Sequence, residues 1–258
     1  MSGHQGRQNR QSRRAEQRRE TDKRQGKQYP ELVQSQNELD GKLEREMSRI
    51  RFGESEPRNE AQSRCIQVIE DTRLAFIVGP AGTGKTFLSI SIACEMLERG
   101  EIERIIITRP MVGCDEDMGF LPGTEWEKFK AWIGPALEVL EGKLGAKKVE
   151  SYVAYKKIVG APLMMMRGST FRNSFVLLDE AQNSTKGQMQ MFLTRLGEGS
   201  KVVVAGDLRQ SDRAGDDNGL ADATNRFRDS KVMGRFEFDE SDITRDPLVR
   251  EVVKAYRD

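Results

Sequence analysis

The chain has 258 residues but only one histidine, His4, and that residue sits in a polar, arginine-rich N-terminal stretch. A Ser-His-Asp triad or a histidine metal site therefore has no material to be built from. Cysteine is nearly as scarce. Cys65, Cys94 and Cys114 are odd in number and widely spaced, which excludes a disulfide framework and a thiolate zinc site and suits reduced thiols in a cytoplasmic protein. No apolar run approaches the roughly 20 residues of a membrane span. No apolar segment follows the basic N-terminus, so neither a secretory leader nor a membrane partner is expected.

Net charge is +1, yet the charge is unevenly placed. Residues 1–28 hold nine Lys or Arg against three acids, while the remainder is mildly acidic. With almost nothing to bury, this arm cannot offset the entropy of ordering and is expected to be disordered. Residues 29–57 are expected to be a helical linker, because Leu39, Leu43, Met47 and Ile50 recur at helical spacing. Gly53 and Pro57 punctuate it, and a compact domain is expected over 58–258.

Within that domain short aliphatic runs alternate with helical stretches. AFIV (75–78), RIIIT (104–108), FVLLD (175–179) and VVVAG (202–206) suit strands buried on both faces. RFEF (235–238) alternates and is expected to be an edge or terminal strand. One helix is predicted from about Lys85 to Gly100. Another is predicted between FVLLD and VVVAG, with a Thr185–Gln188 capping box, an apolar face of Met189, Phe192, Leu193 and Leu196, and a stop at Gly197. Trp126, Phe129, Ile133, Leu137 and Leu140 form a core-facing stripe broken near Gly134–Pro135, and Met164–Met166 is expected to be buried packing. Repeated strand–helix–strand units predict an α/β fold: a mostly parallel sheet with helices on both faces.

Three motifs carry chemistry. GPAGTGKT, residues 79–86, satisfies G-x-x-x-x-G-K-[ST] between a strand and a helix. Gly79, Pro80, Ala81, Gly82, Thr83 and Gly84 form a loop whose N–H groups can face phosphate, with Lys85 for the β- and γ-phosphates and Thr86 for Mg²⁺. In FVLLDEAQ, Asp179 at a strand end can hold the Mg²⁺ shell, and Glu180 can orient or deprotonate water. VVVAGDLRQ fits a class in which an extra strand separates the P-loop strand from the Asp179 strand, with Asp207 and Gln210 facing the γ-phosphate.

DEAQ together with GDxxQ resembles the core of helicase superfamily one. The longer stretch FVLLDEAQNST…MFLTRLGEGSKVVVAGD is similar to the PhoH-like ATPase family. TRPMVGCDEDMGFLPG (108–123), MRGSTFRNSF (166–175) and DITRDPLVREVVKAY (242–256) extend the likeness over roughly residues 58–258. Where the family often has a histidine, this chain has Asp246, and Gly113–Asp117 diverges locally.

The resemblance implies a single RecA-like P-loop NTPase domain. It implies that Asn59 and Gln62 sit where relatives read the adenine edge, or else they are solvated helix surface. Thr108, Arg109 and Pro110 correspond to a nucleic-acid-contacting segment. Arg245 corresponds to an arginine supplied to the γ-phosphate, with Arg167 and Arg195 as weaker alternatives. Because one core supplies half of a two-core helicase site, a homo-oligomeric ring is expected, with Arg245 acting in trans or near the subunit boundary, and the resemblance implies a hexamer. The expected function is ATP hydrolysis with Mg²⁺, coupled to RNA or single-stranded nucleic acid, the basic arm supplying phosphate contacts. A nucleotide-dependent switch without motor activity is the alternative, and a small-molecule kinase is disfavoured because no acceptor pocket or lid signature is present.

Overall fold

The structure is a computed structural model that describes residues 57–111, 133–210 and 217–244, with Glu127 and Lys130 besides. The basic arm, the linker helix, Cys114, Trp126, Phe129 and Arg245 lie outside the described residues.

The strands are β1 (Leu74–Val78), β2 (Arg104–Arg109), β3 (Ile158–Pro162), β4 (Ser174–Leu178), β5 (Lys201–Gly206) and β6 (Gly234–Glu237). The helices are α1 (Glu60–Asp71), α2 (Lys85–Glu98), α3 (Pro135–Leu144), α4 (Ala146–Ala154), α5 (Lys186–Leu193) and α6 (Gly219–Arg226). Among the described residues one sheet runs in the order β3-β2-β4-β5-β1-β6, every neighbouring pair parallel. Strands buried on both faces must be apolar throughout, and β1 and β4 are buried at every residue.

Alternation along each strand divides the core in two. Ala75, Ile77, Ile105, Ile107, Phe175, Leu177, Val203 and Ala205 pack with residues of α1, α2, α3 and α4. Leu74, Phe76, Val78, Ile106, Val176, Leu178, Val202 and Val204 pack with residues of α5 and α6. Helices thus cover both faces of an α/β sheet, the RecA-like P-loop arrangement. The order also places β5 between β1 and β4, as the GDxxQ motif predicts. RFEF forms the edge strand β6.

Local chemistry sets the helix ends. Asn59 caps α1 by accepting from the Gln62 N–H, and α5 opens with the predicted capping box of Thr185 and Gln188. Pro135 occupies the first turn of α3, where its missing N–H costs nothing.

Two expectations need correcting, and β3 stands outside them. Strand β3, IVGAP, was not predicted; glycine and proline weaken its strand signal, and its edge position tolerates them. Helix α5 ends at Leu193 rather than running to Gly197. Gly197 instead lies against Phe171, whose carbonyl oxygen leaves no room for a Cβ. Of the three methionines expected in the core only Met166 is buried, while Met164 and Met165 are 62% and 66% exposed on a tight turn after β3.

Candidate nucleotide-binding site

The C-terminal ends of β1, β4 and β5 are adjacent, and each carries one motif. After β1 the chain turns through Gly79, Gly82 and Gly84, all with positive φ, and Gly84 caps α2 in the left-handed region. Gly79 has a second constraint, because a Cβ there would lie 2.7 Å from both Cβ and the carbonyl oxygen of Phe238. The loop therefore approaches the segment after β6 more closely than any side chain permits. The first-turn N–H groups of α2 have no carbonyl within the helix and make its N-terminus an anion site.

The loop is braced from several sides. Thr83 Oγ1 donates to the Pro80 carbonyl at 3.0 Å. Lys85 Nζ donates to the carbonyls of Gly79 and Pro80 at 2.8 and 2.9 Å, so the lysine lies along its own loop. The Gly79 N–H reaches the Gly206 carbonyl at 3.1 Å, joining the loop to the end of β5.

Gln62, buried on α1, donates from Nε2 to the Thr83 carbonyl at 3.0 Å and accepts from the Arg58 N–H at 2.8 Å. Asn59 places its side-chain oxygen on the Gln62 N–H at 2.8 Å. Both predicted adenine-reading amides thus stand beside the loop with these groups engaged in helix capping and loop bracing.

At the end of β4, Asp179 is half-buried and its Oδ2 accepts from the Thr86 hydroxyl at 2.9 Å. Burial, and then the neighbouring charge of Glu180, push the Asp179 carboxyl up to about 6, against the lowering pull of Thr86, the backbone and Lys85. The Asp179 N–H bonds to the Thr108 carbonyl at 2.9 Å, which places the TRP motif next to the site through its backbone. Glu180 is exposed and has left-handed backbone, φ 50 and ψ 38, an uncommon conformation for a non-glycine residue.

At the end of β5, Asp207 is buried and its carboxylate accepts from the Arg209 N–H at 2.9 Å, making a tight turn. The Gln210 N–H returns to the Asp207 carbonyl at 3.3 Å and its side chain is exposed. Arg195 stands just before β5, on the sheet end opposite the loop, where its carbonyl accepts from the Phe171 N–H. Arg167 is exposed between β3 and β4. Arg245 is outside the described residues, but Thr244 donates both its N–H and its hydroxyl to the Gly82 carbonyl, at 3.1 and 3.2 Å.

A family model for PhoH-like proteins matches residues 54–257. The chain belongs to the PhoH-like family. It is 44% identical to Protein PhoH of Escherichia coli strain K12 over 202 residues, covering 77% of this chain and 57% of that protein. It is 42% identical to a PhoH-like protein of Bacillus subtilis strain 168 over 196 residues, covering 76% of this chain and 61% of that protein. The chain thus spans somewhat more than half the length of these PhoH relatives.

Among solved structures, the Hef helicase domain of Pyrococcus furiosus is similar at 16% identity and a TM-score of 0.40, covering 74% of this chain and 39% of that one. The SWI2/SNF2 ATPase core of Sulfolobus solfataricus gives 11% identity and 0.40, covering 60% and 33%. Likenesses this distant say nothing of activity.

A PhoH-like P-loop domain implies nucleotide with Mg²⁺, and the donor set fits that metal. Mg²⁺ takes oxygen ligands at roughly 2.0–2.1 Å in an octahedron, whose edges are then about 2.9 Å. The Thr86 and Asp179 oxygens are 2.9 Å apart. Among the described residues no cluster of three or more His, Cys, Asp or Glu could cage a metal. Two protein oxygens beside a phosphate site are the usual Mg²⁺ arrangement. Two residues escaped sequence reasoning here. Gln182 lies within DEAQ, and Thr244 directly precedes the motif arginine.

Proposed function

We propose that this domain binds Mg-ATP and hydrolyses its γ-phosphate. The observation that carries the proposal is the Thr86–Asp179 hydrogen bond at 2.9 Å, which joins the P-loop helix to a strand end bearing a second carboxylate, Glu180. The loop amides of residues 81–84 and the α2 N-terminus hold the phosphates. Lys85 leaves the Gly79 and Pro80 carbonyls for the β- and γ-phosphates, exchanging two neutral acceptors for charged ones. Mg²⁺ held by Thr86 and Asp179 supplies neutralising charge to the phosphate oxygens.

Glu180, exposed beside Asp179, orients the attacking water and accepts its proton. Gln210, after the turn that ends β5, reports the γ-phosphate. Arg245 stabilises charge spread over the transferred group. Thr244, the residue before it in sequence, is bonded to the Gly82 carbonyl of the P-loop. Asn59 and Gln62 flank the loop and are proposed to hold that end of the site in place through helix capping and loop bracing rather than by reading the base.

We further propose coupling to RNA in a homo-oligomeric, hexameric ring, with the basic residues 1–28 supplying salt-dependent phosphate contacts. ATP turnover measured with and without RNA, across a salt series, tests both levels. Lys85→Ala should abolish turnover, lowering kcat by about 10²- to 10³-fold or more. RNA stimulation that fades with salt supports the motor reading. Tight Mg-ATP binding with no turnover in the wild type rejects hydrolysis in favour of a nucleotide-dependent switch.

A further inference from the structure

The catalytic roles above leave Gln182 unused, yet it occupies the middle of the site. It follows Glu180 by two residues, in the short turn Ala181–Asn183, and is 4% exposed. Its Nε2 donates to Glu180 Oε2 at 2.6 Å, and its Oε1 accepts from the Asp207 N–H at 3.0 Å. Chemistry fixes the orientation of the amide: a carboxylate can only accept and a backbone N–H can only donate, so a flipped amide would lose both bonds.

The neighbouring chain is shaped around this amide. A Cβ at position 206 would lie 2.6 Å from Gln182 Oε1 and 2.7 Å from Leu220 Cδ2. The glycine of GDxxQ therefore makes room for the glutamine of DEAQ. The same Gly206 accepts from the Gly79 N–H through its carbonyl. Hydrogen bonds and two covalent steps thus lead from the first P-loop glycine through Gly206, Asp207 and Gln182 to the Glu180 carboxylate.

Glu180 needs such a restraint. Its side chain is exposed, and a long exposed carboxylate samples many rotamers unless something holds it. The holder here is buried, rigidly oriented and tied to a different strand. A charge-assisted bond at this length is among the stronger kinds.

We propose that Gln182 is the positioning residue that holds the Glu180 carboxylate in register with the end of β5 and the P-loop. The proposal rests on the reading of Glu180 as the group that orients the attacking water. Gln182 acts through Glu180, so it governs the chemical step and leaves nucleotide binding alone.

The test uses the full chain and Mg-ATP, with steady-state turnover, calorimetric Kd, thermal melting and three substitutions. Gln182→Ala should lower kcat by about 10- to 100-fold while Kd and KM change less than about twofold. Gln182→Glu keeps an oxygen for the Asp207 N–H but sets a carboxylate against Glu180, so it should lose kcat to a similar extent with melting close to wild type. It also serves if Gln182→Ala fails to fold. Glu180→Gln combined with Gln182→Ala should be no slower than Glu180→Gln alone, since two residues acting as one unit are not additive.

A Gln182→Glu protein with full kcat overturns the proposal. So does a double variant whose losses multiply. If Glu180→Gln is slow and Gln182→Ala is not, this inference fails while the hydrolytic reading stands. If Glu180→Gln itself turns over at the wild-type rate, the reading of Glu180 fails and the inference falls with it.

Discussion

The Thr86 hydroxyl donates to Asp179 Oδ2 at 2.9 Å although 93 residues separate the two in sequence. Helix α2 follows β1, Asp179 ends β4, and β5 lies between those strands. The bond therefore crosses one strand of the sheet and joins the proposed phosphate site to the proposed metal site.

Asp179→Asn tests the cost of that arrangement. The folded carboxyl keeps its proton to about pH 6, whereas an unfolded aspartate releases it near 3.8. Its contribution to stability is complete below 3.8 and is lost as pH rises through about 6. At pH 7.5 an amide, which still accepts from Thr86, removes a charge that burial penalises by about 1–3 kcal/mol. Asp179→Asn should melt roughly 3–6 °C higher than wild type while losing Mg-dependent turnover. A lower melting temperature at that pH rejects the explanation.

Cys65 and Cys94 are buried thiols, and burial pushes both up to about 12. An unfolded thiol ionises near 9.0, so the stability they contribute is whole below pH 9 and drains as pH rises through 12. Iodoacetamide should label neither residue in native protein at pH 8 and should label both in urea, as peptide mass spectrometry can read directly. Native-state labelling as fast as that of free cysteine contradicts their burial.

Gln62→Ala removes the brace between α1 and the Thr83 carbonyl. A loss of about 1–3 kcal/mol in stability should accompany a weaker grip on nucleotide. Because the amide holds the loop, ATP and GTP affinities should fall together in calorimetry; a loss confined to ATP would assign Gln62 to the base edge instead. Asn59→Ala removes the α1 cap and should cost about 1 kcal/mol without altering that ratio.

Arg245→Ala should lower kcat by about 10²-fold or more with Mg-ATP affinity nearly unchanged. In the proposed ring the arginine acts in trans or near the subunit boundary. Mixing Arg245→Ala with Lys85→Ala protein should then recover turnover. No recovery in the mixture means that the arginine serves its own subunit.

The legible parts of this protein were those whose physics is local. Gly79, Gly82 and Gly84 announce the phosphate loop because positive φ is cheap only for glycine. Thr185 and Gln188 announce α5 because a capping box closes within one turn. Runs such as AFIV and FVLLD announce strands covered on both faces. Strand β3 was illegible because IVGAP has weak strand propensity and is held by its pairing with β2. The exposure of Met164 and Met165 was illegible because it depends on a tight turn at the sheet edge.

Sequence by itself determined the parallel α/β class, the glycine-rich loop and the acidic pair at a strand end, and the likeness of GDxxQ to a known class implied the place of β5. The first three were encoded by residues a few positions apart, where spacing and backbone preference suffice. Tertiary structure alone decided that Gln62 braces the loop, that Thr244 is fastened to Gly82 and that Gln182 spans Glu180 and Asp207. Those contacts join residues from separate elements, and an amide or hydroxyl carries no mark of its partner until the sheet brings the two within hydrogen-bonding distance.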